Sequence, residues 1–165
     1  MNNYSWLQQK LHQLALASQF MREVTFDVES SFISSLSERD NHVFIAGLSR
    51  SGSTILLNAI HESDKFASLS YADMPFILAP NLWSKLSFNR KDIELIERAH
   101  RDGIKVSTES PEAFEEVFWK TFSDKEIKSV PKFKTYVQLI NHKYQKIRYL
   151  SKNNQNIRRL ELISQ

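Results

Sequence analysis

Eight consecutive residues, Gly47-Leu48-Ser49-Arg50-Ser51-Gly52-Ser53-Thr54, combine two glycines in G-x-x-x-x-G spacing with four hydroxyl side chains and one arginine. That spacing is the one used by loops that wrap a phosphate. Glycines permit the tight turn, backbone N–H groups converge on the anion, and a helix that starts at the second glycine adds the partial positive charge of its N-terminus. The chain holds only three glycines, against a usual share of roughly 7%, and two of the three bound this segment. A strand-to-helix turn built from small residues would satisfy the same spacing without binding anything. In nucleoside triphosphatases the second glycine is followed by Lys and then Ser or Thr. Here Ser53 follows Gly52, and the cation sits earlier, at Arg50. This moves a guanidinium into the loop, where it suits a bridging or terminal anionic oxygen.

Two elements must hold such a loop. His42-Val43-Phe44-Ile45-Ala46 is short, apolar and β-rich, as expected of a strand buried on both faces of a parallel sheet. From Gly52, the positions of Ile55, Leu56, Ala59 and Ile60 predict a helix to about His61. Further along, Phe66 to Tyr71 and Ile147 to Leu150 read as strands. Lys91–His100, a segment from Glu112 to Phe122 behind Ser110-Pro111, and Val137–His142 read as helices, and Ile157, Leu160 and Ile163 form one face of a terminal helix. Leu7, Leu11 and Leu14 predict an amphipathic helix from Ser5 to about Met21, and a short helix is expected around Phe32, Ile33 and Leu36. Met74-Pro75 and Ala79-Pro80 mark an irregular stretch ending near Trp83. Strand-loop-helix units separated by helices imply an α/β protein with a parallel sheet flanked by helices, because parallel neighbours need a long crossover. Two or three strands are few for such a sheet, so the single domain of residues 1–165 is expected to be incomplete at its C-terminus.

Composition narrows the function classes. With 41% hydrophobic and 25% charged residues the chain belongs among folded proteins, and without cysteine it has no thiol chemistry, disulfide or thiolate metal site. His12, His61 and His142 lack ligand spacing, so no metal is expected. No apolar run is long enough to span a membrane and no secretory leader is evident, which reads as cytoplasmic. The formal charge is +3, yet Lys132, Lys134, Lys143, Lys146, Arg148, Lys152, Arg158 and Arg159 face only Glu161 after residue 130. A basic terminal segment fits either an anionic partner or a solvated face. Lys152 and Asn153, beyond a strand, sit where parallel-sheet loops meet ligands. His100, Asp102 and Gly103 read as a helix terminus, and Glu109 as a possible cleft residue. Phe114, Phe118, Trp119 and Phe122 read as core rather than as a sugar platform.

The string VFIAGLSRSGSTILLNAI, Val43 to Ile60, resembles the loop with which sulfotransferases bind the 5′-phosphosulfate of 3′-phosphoadenosine-5′-phosphosulfate (PAPS), usually Pro-Arg/Lys-Ser-Gly-Thr-Thr. Ser49 stands for the usual Pro and Ser53 for the first Thr. The stretch around Ser151-Lys152-Asn153-Asn154-Gln155-Asn156 is similar to a strand-loop-helix of bacterial members acting on cell-surface material. The resemblance implies a P-loop NTPase-like fold and a PAPS-dependent sulfotransferase. Arg50, Ser51, Gly52, Ser53 and Thr54 would hold the co-substrate, and Arg50 would stabilise charge on the bridging oxygen as the sulfuryl group leaves. The acceptor would be a hydroxyl, expected on a carbohydrate or other envelope material, with no nucleic acid as partner. A carboxylate base at the end of the next strand would be Asp73, Asp in place of the family's Glu; a turn or cap carboxylate is the other reading of that residue. The family's 3′-phosphate element, an Arg after a further strand and a Ser in the next helix, has no counterpart before Gln165, so the chain is expected to be an N-terminal portion, partial or inactive alone. The alternatives are a degenerate P-loop kinase or nucleoside triphosphatase, and a non-enzymatic polyanion-binding module.

Overall fold

The computed structural model describes residues 18–32, 41–74, 76–86, 96–97, 105–106, 114–122 and 127–165. In chain order the elements are α1 (Gln19–Phe32), β1 (Val43–Ile45), α2 (Ser53–His61), a 3-10 turn (Tyr71–Asp73), α3 (Pro80–Leu86), β2 (Ile96–Glu97), β3 (Lys105–Val106), α4 (Glu115–Phe122), α5 (Ser129–Tyr144), β4 (Leu150–Lys152), a second 3-10 turn (Asn154–Arg158) and α6 (Leu160–Ile163).

β1 and β4 pair in parallel, with Val43 opposite Leu150, Phe44 opposite Ser151 and Ile45 opposite Lys152. On the other edge of β4 a parallel bridge joins Ala67 to Tyr149, so β4 runs between β1 and the buried segment around Ala67. The backbone bonds alternate accordingly: Val43 N donates to Tyr149 O at 2.8 Å, and Leu150 N donates to Ala67 O at 2.8 Å. β2 and β3 form a separate antiparallel pair. The architecture is therefore α/β-like, with a small parallel sheet among helices.

Side chains alternate across a strand, and the two faces of this sheet carry different cores. Ile45 and Leu150 pack with Leu57 of α2 and with Phe66, joined by Val43 and Ile60. On the opposite face Tyr149 and Phe44 meet Phe118, Trp119, Phe133 and Tyr136 of α4 and α5. Phe118 stacks on Tyr136 at 4.9 Å and Trp119 lies 4.4 Å from Phe133. Each fully buried ring contributes roughly 1.5–3 kcal/mol of transfer free energy, so the aromatics at helical spacing in α4 are core, as the sequence implies.

Several boundaries differ from expectation, each for a local reason. Helix α1 continues through Met21 to Phe32, because Phe26 packs on Phe122 at 5.0 Å and Arg22 Nε donates to Thr121 Oγ1 at 2.8 Å; tertiary contacts carry it through the serine-rich stretch. Residues 5–17 and 33–40 lie outside the described residues. Pro80 starts a helix rather than closing an irregular stretch, the first helical position being one that needs no N–H. Within the expected helix Lys91–His100, the described Ile96–Glu97 is strand, paired with Lys105–Val106. Lys152 belongs to a strand whose register with β1 starts at Leu150, later than Ile147. The terminal helix is broken: Asn153 Oδ1 accepts from Gln155 N at 2.9 Å and starts a 3-10 turn, leaving Ile157 and Leu160 exposed.

Candidate functional site

The loop between β1 and α2 leaves the carboxyl end of a parallel strand, the edge at which open α/β sheets take ligands. Its conformation depends on two left-handed residues at alternate positions, Arg50 with φ 63° and Gly52 with φ 80°. Gly52 adopts this cheaply, whereas Arg50 bears the strain of a Cβ there. Alternating hand is the backbone pattern that turns successive N–H groups toward one concavity. Ser51 N donates back to Leu48 O at 3.3 Å, and a Cβ on Gly47 would lie 3.1 Å from Ser51 Oγ, so the loop closes on itself where Gly47 has no side chain.

Helix α2 begins without a side-chain cap, and its first described backbone bond runs from Leu56 N to Gly52 O at 3.1 Å. The N–H groups of Ser53, Thr54 and Ile55 thus meet no acceptor among the described residues, as at any uncapped helix start. Ser53 is buried, Thr54 half-buried, and Arg50, Ser51 and Gly52 are exposed. The structure brings together Arg50, Ser51, Gly52, Ser53 and Thr54 on one strand-to-helix turn.

Register adds a second cation. Lys152 is paired with Ile45, so its side chain leaves the sheet on the face covered by α2, at the strand end beside the loop. Asn153 N then donates to Ile45 O at 3.0 Å, tying the end of β4 to the residue two before Gly47. A concave turn with an arginine on it and a lysine at the neighbouring strand end carries the groups by which a protein can hold phosphate or sulfate oxygens and stabilise charge that develops on them.

Asp73 follows the segment around Ala67 that lies beside β4. It is 0% exposed and closes a capping box on the 3-10 turn, accepting from Ser70 N at 2.7 Å. Tyr144 Oη donates to the same carboxylate at 2.7 Å, and Lys143 Nζ forms an ion pair with it. The described contacts of Asp73 thus run to Ser70 of its own turn and to α5, and none to the loop. The cap reading of this carboxylate is the one the geometry satisfies: after Ser70 the chain turns toward α5. His100, Asp102, Gly103 and Glu109 lie outside the described residues, as do Ser110 and Pro111.

No family model, curated protein or solved structure matches the chain. The site therefore rests on its own geometry. Among the described residues there is no cluster of three or more His, Cys, Asp or Glu side chains that could hold a metal ion, and no helix is long and apolar enough to cross a membrane.

Four residues around the site were not singled out by sequence. Glu115 and Glu116, the first turn of α4, hold β4 from behind. Glu115 accepts from Tyr149 Oη at 3.2 Å and from Ser151 Oγ, and Glu116 accepts from Asn153 Nδ2 at 2.8 Å. Burial, with Tyr136 and Glu115 adding to it, pushes the Tyr149 phenol well above its ordinary range and keeps it a donor. Arg159 grips Glu116 through two nitrogens, at 2.9 and 3.2 Å. Asn156 is 0% exposed and neither polar atom of its side chain meets a partner among the described residues. In the sequence Arg159 shows only as part of a basic stretch, Asn156 only within Ser151–Asn156, and Glu115 and Glu116 only as positions of a helix, with nothing to pair them.

Proposed function

We propose that the chain is a sulfuryl-transfer protein, with PAPS as co-substrate and a hydroxyl, carbohydrate in the first instance, as acceptor. The observation that carries this reading is the Gly47–Thr54 turn itself: an uncapped helix start behind left-handed Arg50 and Gly52, with Lys152 in register beside it. The resemblance of Val43–Ile60 to the PAPS loop selects among anions. A serine in place of lysine after Gly52 removes the cation that triphosphate loops place on the terminal phosphates, and the fit is better to a ligand whose reacting oxygen lies over the loop.

In this reading the loop N–H groups and the hydroxyls of Ser51, Ser53 and Thr54 orient the 5′-phosphosulfate. Arg50 and Lys152 neutralise charge on the bridging oxygen as its bond to sulfur breaks, and a new bond forms between sulfur and the acceptor oxygen. The leaving phosphate keeps the electron pair, and the acceptor's proton passes to a base or to water. Positioning and electrostatic stabilisation account for most of the rate, by analogy with phosphoryl transfer. Asp73 could serve as that base only by giving up its contacts with Lys143 and Tyr144.

Calorimetric titration with 3′-phosphoadenosine-5′-phosphate, in parallel with ATP and magnesium, tests the reading. The bisphosphate is expected to bind more tightly than ATP and to lose its binding in Arg50→Ala. Preference for ATP would replace the reading with a kinase-like one, and binding of neither would refute a nucleotide site in this chain.

A further inference from the structure

The side chains of Tyr149, Ser151 and Asn153 leave β4 on one side by strand alternation, and all three end on the first turn of α4. Leu150 and Lys152 leave on the other side, toward α2 and the loop. Two consecutive carboxylates thus form a rail behind the strand that presents Lys152 in front. The rail is rigid, because the same helix buries Phe118 and Trp119 in the main core.

The end of the rail matters most for the loop. Asn153 is held three ways: its Nδ2 donates to Glu116, its Oδ1 accepts from Gln155 N, and its backbone N donates to Ile45 O. Glu116 in turn receives the Arg159 guanidinium, whose side chain is 4% exposed and lies 5.2 Å from the Trp119 ring. This bidentate pair fixes the carboxylate's orientation. We infer that Glu116 is a positioning residue for the anion loop: through Asn153 it sets where β4 ends, and thereby both the place of Lys152 and the carbonyl of Ile45 from which the loop departs. Supporting contacts of this kind hold functional groups within a fraction of an ångström of their working geometry. The inference deepens the nucleotide-site reading and rests on it for its use, but not for its test.

Hydrogen exchange of the ligand-free chain is that test. In Glu116→Gln the hydrogen-bonded amides of Asn153, Ser51 and Leu56 should exchange roughly tenfold faster, the equivalent of one lost hydrogen bond to a charged group, while the amides of α5 keep their protection. A merely structural role would move all of them together. Unchanged loop exchange in the folded variant overturns the inference. If Glu116→Gln does not fold, Asn153→Ala leaves the Glu116–Arg159 pair intact and cuts its link to the strand together with the bond from Gln155 N; the same acceleration at Ser51 and Leu56 is expected, and its absence is equally fatal. Titration with 3′-phosphoadenosine-5′-phosphate separates the two ideas. Weaker binding in Glu116→Gln, with a smaller loss in a Lys152→Ala background than in the wild type, supports both. No binding by the wild-type chain, with the exchange pattern as stated, refutes the nucleotide site and leaves the positioning role standing.

Discussion

Gly47 and Gly52 share the G-x-x-x-x-G spacing, but only Gly52 has a left-handed backbone, and substitution at each reads out something different. Around Gly52 a Cβ would meet nothing within 4 Å, so Gly52→Ala creates no clash and its whole cost is conformational. We expect about 1–2 kcal/mol of destabilisation in urea unfolding, together with loss of anion binding as the turn relaxes. Gly47→Ala is the opposite case. Its Cβ would press on Ser51 Oγ, the free end of a short side chain that can rotate away, so stability should change little in the same unfolding assay. A result in which both substitutions cost alike would mean that space rather than backbone hand governs the loop. The two-glycine spacing was legible in the sequence; which glycine needs the left-handed conformation was not, because that depends on how the strand and the helix meet.

Two carboxylates tie helices together with opposite pH signatures. Glu29 of α1 accepts from Asn81 N, Asn81 Nδ2 and Leu82 N at the start of α3. Burial raises its pKa above the ordinary carboxylate value, and the hydrogen bonds from Asn81 and Leu82 and the nearby Lys143 offset this only in part. A carboxyl raised in the folded state favours folding when protonated, so its contribution is present below the ordinary carboxylate pKa and is lost as pH rises through the raised value. Glu116 runs the other way. Burial raises it too, but hydrogen bonds from Arg159 and Asn153 outweigh burial and hold it below the ordinary value. Its contribution is present above the ordinary pKa and is lost as pH falls through the depressed one. Melting curves across the acid range should therefore show Glu29→Gln flattening the loss on the neutral side, and Glu116→Gln flattening the loss on the acid side. Exchanged signatures would mean that the pairings are misassigned. None of this is readable from the residues' order: Glu29 and Asn81, or Glu116 and Arg159, are distant in sequence, and only packing brings them together.

Across the whole molecule, the basic C-terminal segment is largely spent on the fold. Lys143 pairs with Asp73, Lys146 with Asp64, and Arg159 with Glu116. Arg148 donates to Asn41 O at 2.7 Å and covers the Phe66 ring, while Lys132 lies over Phe122. A polyanion would find fewer cations than the sequence advertises, so binding to a sulfated polysaccharide should be weak and its logarithmic salt dependence shallow, well short of one counterion per basic residue. A steep slope would restore the polyanion-binding reading. In the core, by contrast, single side chains weigh heavily. Trp119→Ala removes a fully buried ring that touches Phe133 and lies against Arg159, and should cost about 3–5 kcal/mol by denaturant unfolding.

Local chemistry was enough to mark the Gly47–Thr54 turn and its flanking strand and helix, because G-x-x-x-x-G, the apolar run at Val43–Ile45 and the spacing in Ser53–His61 each act within a few residues. The same local reasoning found the aromatic core of α4. It missed the helix at Pro80–Leu86 and the continuation of α1, which are stabilised by Glu29 and Phe26 reaching distant partners. For Asp73 it left a base and a cap carboxylate as alternatives, and only the packed structure supplies the capping box with Ser70 and the contacts with Lys143 and Tyr144 of α5. Registers and ion pairs are non-local: the place of Lys152 beside Ile45, and the rail formed by Glu115 and Glu116 behind it, exist only once β4 has docked between β1 and Ala67.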